Sequence, residues 1–197
     1  MTHLLTRTSA SPARPTPPPP DPAAVRRYCW VRVGFGLIWA LDAALKWLPG
    51  FRSAYPSMIA DAGQGQPGWL SGWFSFWDQT ISQAPTVFAV LIALAETVIA
   101  LSLILGIAQR VGFTGGIVFA LLVWGIGEGF GGPYASGSTD IGAAIMYAVL
   151  FASLWLAVPP AIRLAAPALD HKLAPHRAWR WATFAPVSPH THDGARR

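Results

Sequence analysis

Four runs of nearly uncharged residues constrain this chain more than anything else in it. They lie at about 30–48, 86–107, 111–127 and 140–158, each roughly 17 to 22 residues long. At about 1.5 Å of rise per residue, each can cross a hydrocarbon core of about 30 Å as a helix. The second run, TVFAVLIALAETVIALSLILGI, carries a single charge. Water is absent from the bilayer core, so each run must satisfy its own peptide N–H and C=O groups, and a helix does that within one segment. Composition agrees: 53% of the 197 residues are hydrophobic and 12% are charged, which in water would leave large apolar patches exposed. The expected fold is all-α, a four-transmembrane-helix bundle in lipid.

Proline and glycine mark the ends of the runs. The first stops at Pro49-Gly50 and the fourth at Pro159-Pro160, while Ala108, Gln109 and Arg110 alone separate the second from the third. Residues 1–25 lack the apolar core of a cleavable signal, so none is expected there. Their run of prolines predicts a disordered, polyproline-like tail. The expected division is therefore a tail over 1–27, a membrane domain over 28–160 and a basic amphipathic tail over 161–197.

A net charge of +5 does not indicate nucleic acid. With the N-terminus inside, every one of the 14 Lys and Arg residues except Lys46 and Arg52 falls on the inner side, the pattern that sets topology. Both termini are expected in the cytoplasm. The longest outer stretch, about 35 residues between the first two spans, holds Trp69, Trp73 and Trp77 at four-residue spacing with Phe76 alongside. On a helix these form one aromatic stripe, either an interfacial anchor or a cap over the bundle. Beyond the fourth span, Lys172, Arg177, Trp179, Arg180, Trp181 and Phe184 predict a basic aromatic helix on the inner leaflet.

Charges inside the spans point to chemistry, because each costs at least about 2.5 kcal/mol in hydrocarbon unless paired or hydrated. Asp42 and Lys46 sit four apart, so they stack on one helix face and can pair; Phe35 and Trp39 continue that face. They form either a neutralised pair near the outer surface or the polar end of a ligand slot. Glu96 lies about 15 Å into the second span, flanked by Ala89, Ala93 and Ala100, a small-residue stripe that admits a neighbouring helix. It is therefore expected to face the bundle interior, as a functional acid or an interhelical hydrogen bond. Gly112, Gly116 and Ala120 make a second close-packing edge. Glu128 stands among glycines in the turn 124–134, where backbone approach by a ligand is easy. Ser138 or Thr139 is expected to cap the fourth helix, with Asp140 favouring its positive end. Asp42, Glu96, Glu128 and Asp140 are thus expected to converge beneath the aromatic segment in a pocket open to the outer side.

All five histidines lie in the tails, so no span can offer His ligands to a b-type haem, and no metal site is expected. The single cysteine, Cys29, excludes an internal disulfide. No nucleotide-binding glycine loop or nucleophile elbow occurs, and no tightly bound redox centre is expected.

The run Gly-Leu-Ile-Trp-Ala-Leu-Asp-Ala-Ala-Leu-Lys-Trp-Leu-Pro-Gly-Phe at 36–51 resembles the first helix of DoxX/DoxD-like membrane proteins. The Trp-x-x-Gly-Glu-Gly-Phe-Gly-Gly turn at 124–132 and Thr-Asp-Ile-Gly-Ala-Ala at 139–144 are similar to a subgroup of them. The resemblance spans about residues 28–160. It implies the membrane subunit of a quinone-linked, thiosulfate-oxidising type of oxidoreductase in a bacterial inner membrane, with a partner oxidoreductase subunit as a separate chain. On this reading Glu96 and Glu128 are candidate catalytic acids. Asp42, Lys46, Trp39, Trp73, Trp77 and Asp140 are candidate ligand-binding residues, and quinone is the expected cofactor or substrate. Two alternatives stay open, a non-catalytic scaffold of a larger redox complex and a small proton-coupled carrier.

Overall fold

A computed structural model describes residues 18–134, 140–173 and 181–184, and these are helical with intervening turns. The long helices are α1 (Pro22–Lys46), α4 (Pro85–Leu105) and α5 (Gln109–Leu122), the last extended by a π turn over Val123–Gly127. All three are long and apolar enough to cross a membrane. Between α1 and α4 lie α2 (Pro49–Ala62) and α3 (Ser71–Ser82). After α5 come α6 (Ala144–Ala152), extended by a π turn to Ala157, and the short α7 (Pro160–Ala165) and α8 (Asp170–Leu173).

Several boundaries differ from the sequence expectation, each for a local reason. Helix α1 begins at Pro22, inside the stretch read as a proline-rich tail. Proline at the first helical position has φ already set, and the Asp21 carboxylate accepts the Ala23 N–H at 2.9 Å. The stretch after Pro49, where the first expected span stops, is itself helix α2; Tyr55 and Ile59, one turn apart, are its buried face. The fourth apolar helix starts at Ala144, not near Asp140. Gly142 adopts φ +90 and its N–H is taken by Asp140 Oδ1 at 2.8 Å, an Asx-type turn that ends before the helix begins. The proposed caps Ser138 and Thr139 lie outside the described residues. So do Arg177, Trp179 and Arg180 of the expected inner-leaflet helix. Of that segment, Trp181 is exposed but Phe184 packs inward, its ring centroid 6.0 Å from that of Phe113 and 6.3 Å from that of Trp155.

Close helix contacts follow the small residues. A Cβ on Gly36 would lie 2.9 Å from Leu103 Cβ, so only glycine lets α1 approach α4 this closely. Gly116 of α5 receives the face of Phe151 from α6 in the same way. Around that contact Phe35, Trp39 and Phe151 interlock edge to face, with centroids 4.8 to 6.1 Å apart, and form the centre of the main core.

One end of the bundle is locked by polar groups. Helix α4 ends on Gly106 at φ +65, and the chain turns into α5 through Ala108. Asp170, only 2% exposed, accepts the Ala108 N–H at 2.7 Å and the Gln109 N–H at 3.1 Å. A carboxylate from far along the chain thus satisfies the free amides at the start of α5. Buried Arg32 donates to Gln109 Oε1 at 3.1 Å and to the Pro167 carbonyl at 2.8 Å. Although counted among the inner-side cations, it is enclosed by protein.

Candidate functional site: a cavity at the Lys46 end of the bundle

At the opposite end, α4 and α5 leave a cavity of about 600 Å³ that α1, α2 and α3 close from the other side. Its position follows from the fold. Helix α1 ends at Lys46, and the chain then doubles back through α2, so Tyr55 and Ile59 lie over a gap that no spanning helix fills.

The lining is mostly apolar and aromatic, with a cluster of charge on one wall. Lys46 Nζ lies 2.8 Å from Asp42 Oδ1 and 3.7 Å from Glu96 Oε1, and 5.3 Å from the centre of the Phe51 ring. The three partners differ in burial, which decides what each contact is worth. Asp42 has a side chain 43% exposed, Lys46 20% and Glu96 3%. Glu96 is therefore the group that depends on Lys46 for its counter-charge. Its second oxygen, Oε2, has no hydrogen-bond partner among the described residues, and the same holds for the buried indole Nε1 atoms of Trp39 and Trp77. These three atoms have almost no accessible surface, so they are unmet polar groups in the packing around the cavity and are not presented to it. Tyr55 lines the cavity with a further polar group. Burial pushes its phenol up to about 12, which keeps it a neutral O–H donor at physiological pH.

The structure brings together six of the residues singled out by sequence: Trp39, Asp42, Lys46, Trp77, Glu96 and Glu128 all line the cavity. Glu128 has a further task. Its carboxylate oxygens lie 3.0 and 3.3 Å from the Ala144 N–H, so it caps α6, the role expected of Ser138, Thr139 or Asp140. Asp140 is exposed and outside the cavity. Trp73 is also outside; its indole donates to the Gly125 carbonyl at 2.9 Å and ties α3 to the π turn of α5. Trp69 precedes α3 in a 3-10 turn and is 82% exposed, so the aromatic stripe reduces to Trp73 and Trp77, in edge contact at 5.7 Å.

The sequence reading missed Phe51 and Tyr55 on α2, Phe88 on α4, Phe119 on α5 and Tyr147 on α6. The α2 pair carried a usable signal, two aromatics four apart immediately after a helix-starting proline. The other three stand among so many apolar neighbours that nothing in one sequence distinguishes a cavity wall from a packed core.

The mouth of the cavity is apolar. Met58, Leu91 and Leu122 line it and are also exposed, and the latter two belong to the outward faces of α4 and α5. Those faces continue as Val87, Leu94 and Val98 on α4 and Val118 and Leu121 on α5, the surface that lipid would cover. The arrangement suits a flat, largely apolar molecule that presents hydrogen-bonding groups to the inner wall. In comparisons with protein-family models, with curated proteins and with solved structures, the chain matches none.

Proposed function

We propose that this chain is a membrane subunit of a quinone-linked redox system that takes a lipid-soluble quinone from the bilayer into the cavity between α1, α2, α4 and α5. One observation carries the reading: an apolar mouth on the outward faces of α4 and α5 leads to an aromatic slot lined also by Tyr55 and by the Asp42–Lys46–Glu96 charges. A quinone ring fills such a slot, and its carbonyl oxygens are acceptors for the Tyr55 hydroxyl and the Lys46 ammonium. The volume, about 600 Å³, lies within the range of small-ligand sites. When bound, the quinone supplies a two-electron acceptor; the chain's residues contribute the slot, the donors and the Asp42–Lys46–Glu96 charges beside it. Electrons come from a partner subunit, as in the DoxX/DoxD-like proteins that the membrane core resembles. The same reading has α1, α4, α5 and α6 cross the bilayer with both termini in the cytoplasm.

Photolabelling with an azidoquinone in native membranes tests this. Labelled peptides should come from α1, α2 or α4, and excess unlabelled quinone should abolish the labelling. Labelling that excess quinone leaves unchanged would sink the proposal in favour of a scaffold, for which the exposed Trp69 and Phe76 offer a docking edge.

A further inference from the structure

A second concave surface lies at the far end of the bundle from the cavity, where α1 begins. Helix α1 has 25 residues, about 37 Å at about 1.5 Å of rise per residue, against a hydrocarbon core of about 30 Å. Its charged first turns therefore belong at headgroup level. There Val25 and Cys29 of α1, with Ala165 and Pro167 at the end of α7, line a groove of about 530 Å³, and Arg26 is its charged lining residue. The three arginines of α1 differ in what already holds them. Arg32 is buried and donates to Gln109 and to the Pro167 carbonyl, and Arg27 lies 3.7 Å from the Asp21 carboxylate. Arg26 is exposed and has neither ion pair nor hydrogen bond among the described residues. From Arg26 onward, the same face of α1 is apolar and open. Trp30, Leu37 and Leu41 follow at intervals of four, seven and four residues, which keeps all four residues within about 60° around the helix, and the three are exposed. A cation, then an aromatic ring, then aliphatic side chains is the order met on passing from headgroups into acyl chains.

We infer that the groove seats one anionic phospholipid, its phosphate paired with Arg26 and an acyl chain lying along Trp30, Leu37 and Leu41. Two observations select this occupant. The unpaired guanidinium calls for an anion, and phosphate oxygens match its planar fork. The groove adjoins the face of α1 that lipid would cover, so a molecule with both a charged headgroup and a chain satisfies all of it, whereas a soluble anion leaves the apolar walls bare. The site is separate from the quinone cavity and stands whether or not that cavity takes a quinone.

Cys29, the single cysteine of the chain, reports on the groove from within it. The full-length protein is placed in nanodiscs of phosphatidylcholine, alone or mixed with phosphatidylglycerol, and modification of Cys29 by N-ethylmaleimide is followed by intact-mass measurement. Phosphatidylglycerol should slow the wild-type reaction about fivefold, the selectivity that one arginine confers toward an anionic lipid. Arg26→Gln should bring the two rates to within about twofold. Arg110→Gln, which removes an exposed arginine outside the groove, should leave the slowing in place. Slowing that persists in Arg26→Gln is an effect of surface charge on the thiol and overturns the inference. Equal rates in wild type, or equal relief by Arg110→Gln, overturn it as well. So does a Cys29 that the reagent modifies in neither lipid, because the protein itself then fills the groove.

Discussion

Among single residues, Lys46 is the one on which most others depend. It neutralises a half-exposed carboxylate, Asp42, and a buried one, Glu96, and those two debts to solvation are unequal. Lys46→Met should therefore destabilise the protein by about 3 kcal/mol, nearly all of it from the stranded Glu96. Adding Glu96→Gln to Lys46→Met should recover most of the loss, whereas adding Asp42→Asn should recover little, because water already reaches Asp42. Thermal unfolding of the three variants in detergent makes the comparison, and equal recovery by the two second-site changes would contradict it. The i, i+4 spacing of Asp42 and Lys46 made their pairing legible in sequence, and the alanines beside Glu96 made its inward direction legible. The convergence of Asp42 and Glu96 was expected too, but no spacing marks the Lys46–Glu96 contact, which joins residues on different helices. Glu128 shows the limit of local reading from the other side. Its neighbours suggested a free acid among glycines, but the Ala144 N–H that occupies it comes from the next helix.

At the scale of elements, the glycines divide into those that hold helices together and those that do not. Gly116 is filled by the Phe151 ring, whereas a Cβ on its neighbour Gly115 would meet nothing within 4 Å. Gly116→Ala should thus push α6 away from α5, costing about 1 to 3 kcal/mol, while Gly115→Ala should be neutral or slightly stabilising. Thermal midpoints of the two variants test the pair, and a similar fall in both, or none in Gly116→Ala, would show that the Phe151 contact does not set Gly116 apart. The four-residue spacing of Gly112, Gly116 and Ala120 exposed this edge in sequence. Helix α2 was hidden because its apolar side is short: Tyr55 and Ile59 alone are fully buried, and Pro56 within it reads as a helix breaker. Pro56 is the eighth residue of α2, past its first turn, and cannot donate a backbone hydrogen bond there; the aromatic pair Phe51 and Tyr55, 5.5 Å apart, holds the segment over the cavity.

For the molecule as a whole, the question is what the path of the chain after α5 implies for topology. Helix α6 with its π turn covers only Ala144–Ala157, about 20 Å at 1.5 Å per residue, less than a bilayer's hydrocarbon core. Its ends nevertheless connect opposite ends of the bundle. At one end Ala144 is capped by Glu128, beside the cavity. At the other the Leu169 N–H donates to the Leu105 carbonyl at 3.1 Å and Asp170 caps the turn into α5. The chain from Ala144 to Asp170 therefore travels the length of α5 in the reverse direction, with the irregular stretch around Pro159 and Pro167 supplying the distance that the helix lacks. Whichever side of the membrane holds the α4–α5 turn must also hold Lys172. The concentration of Lys and Arg in the tails and at Arg110 assigns that side to the cytoplasm in the proposed topology. Single cysteines at Gln64 and Lys172, both exposed, on a Cys29→Ala background report on this directly. A membrane-impermeant maleimide should label the Gln64→Cys protein in intact cells and the Lys172→Cys protein only after permeabilisation. Labelling of Lys172→Cys in intact cells, with Gln64→Cys labelled as well, would mean that α6 returns without crossing. That result is incompatible with the Asp170 cap unless the α4–α5 turn is also outside, and an Arg110→Cys variant distinguishes those two cases.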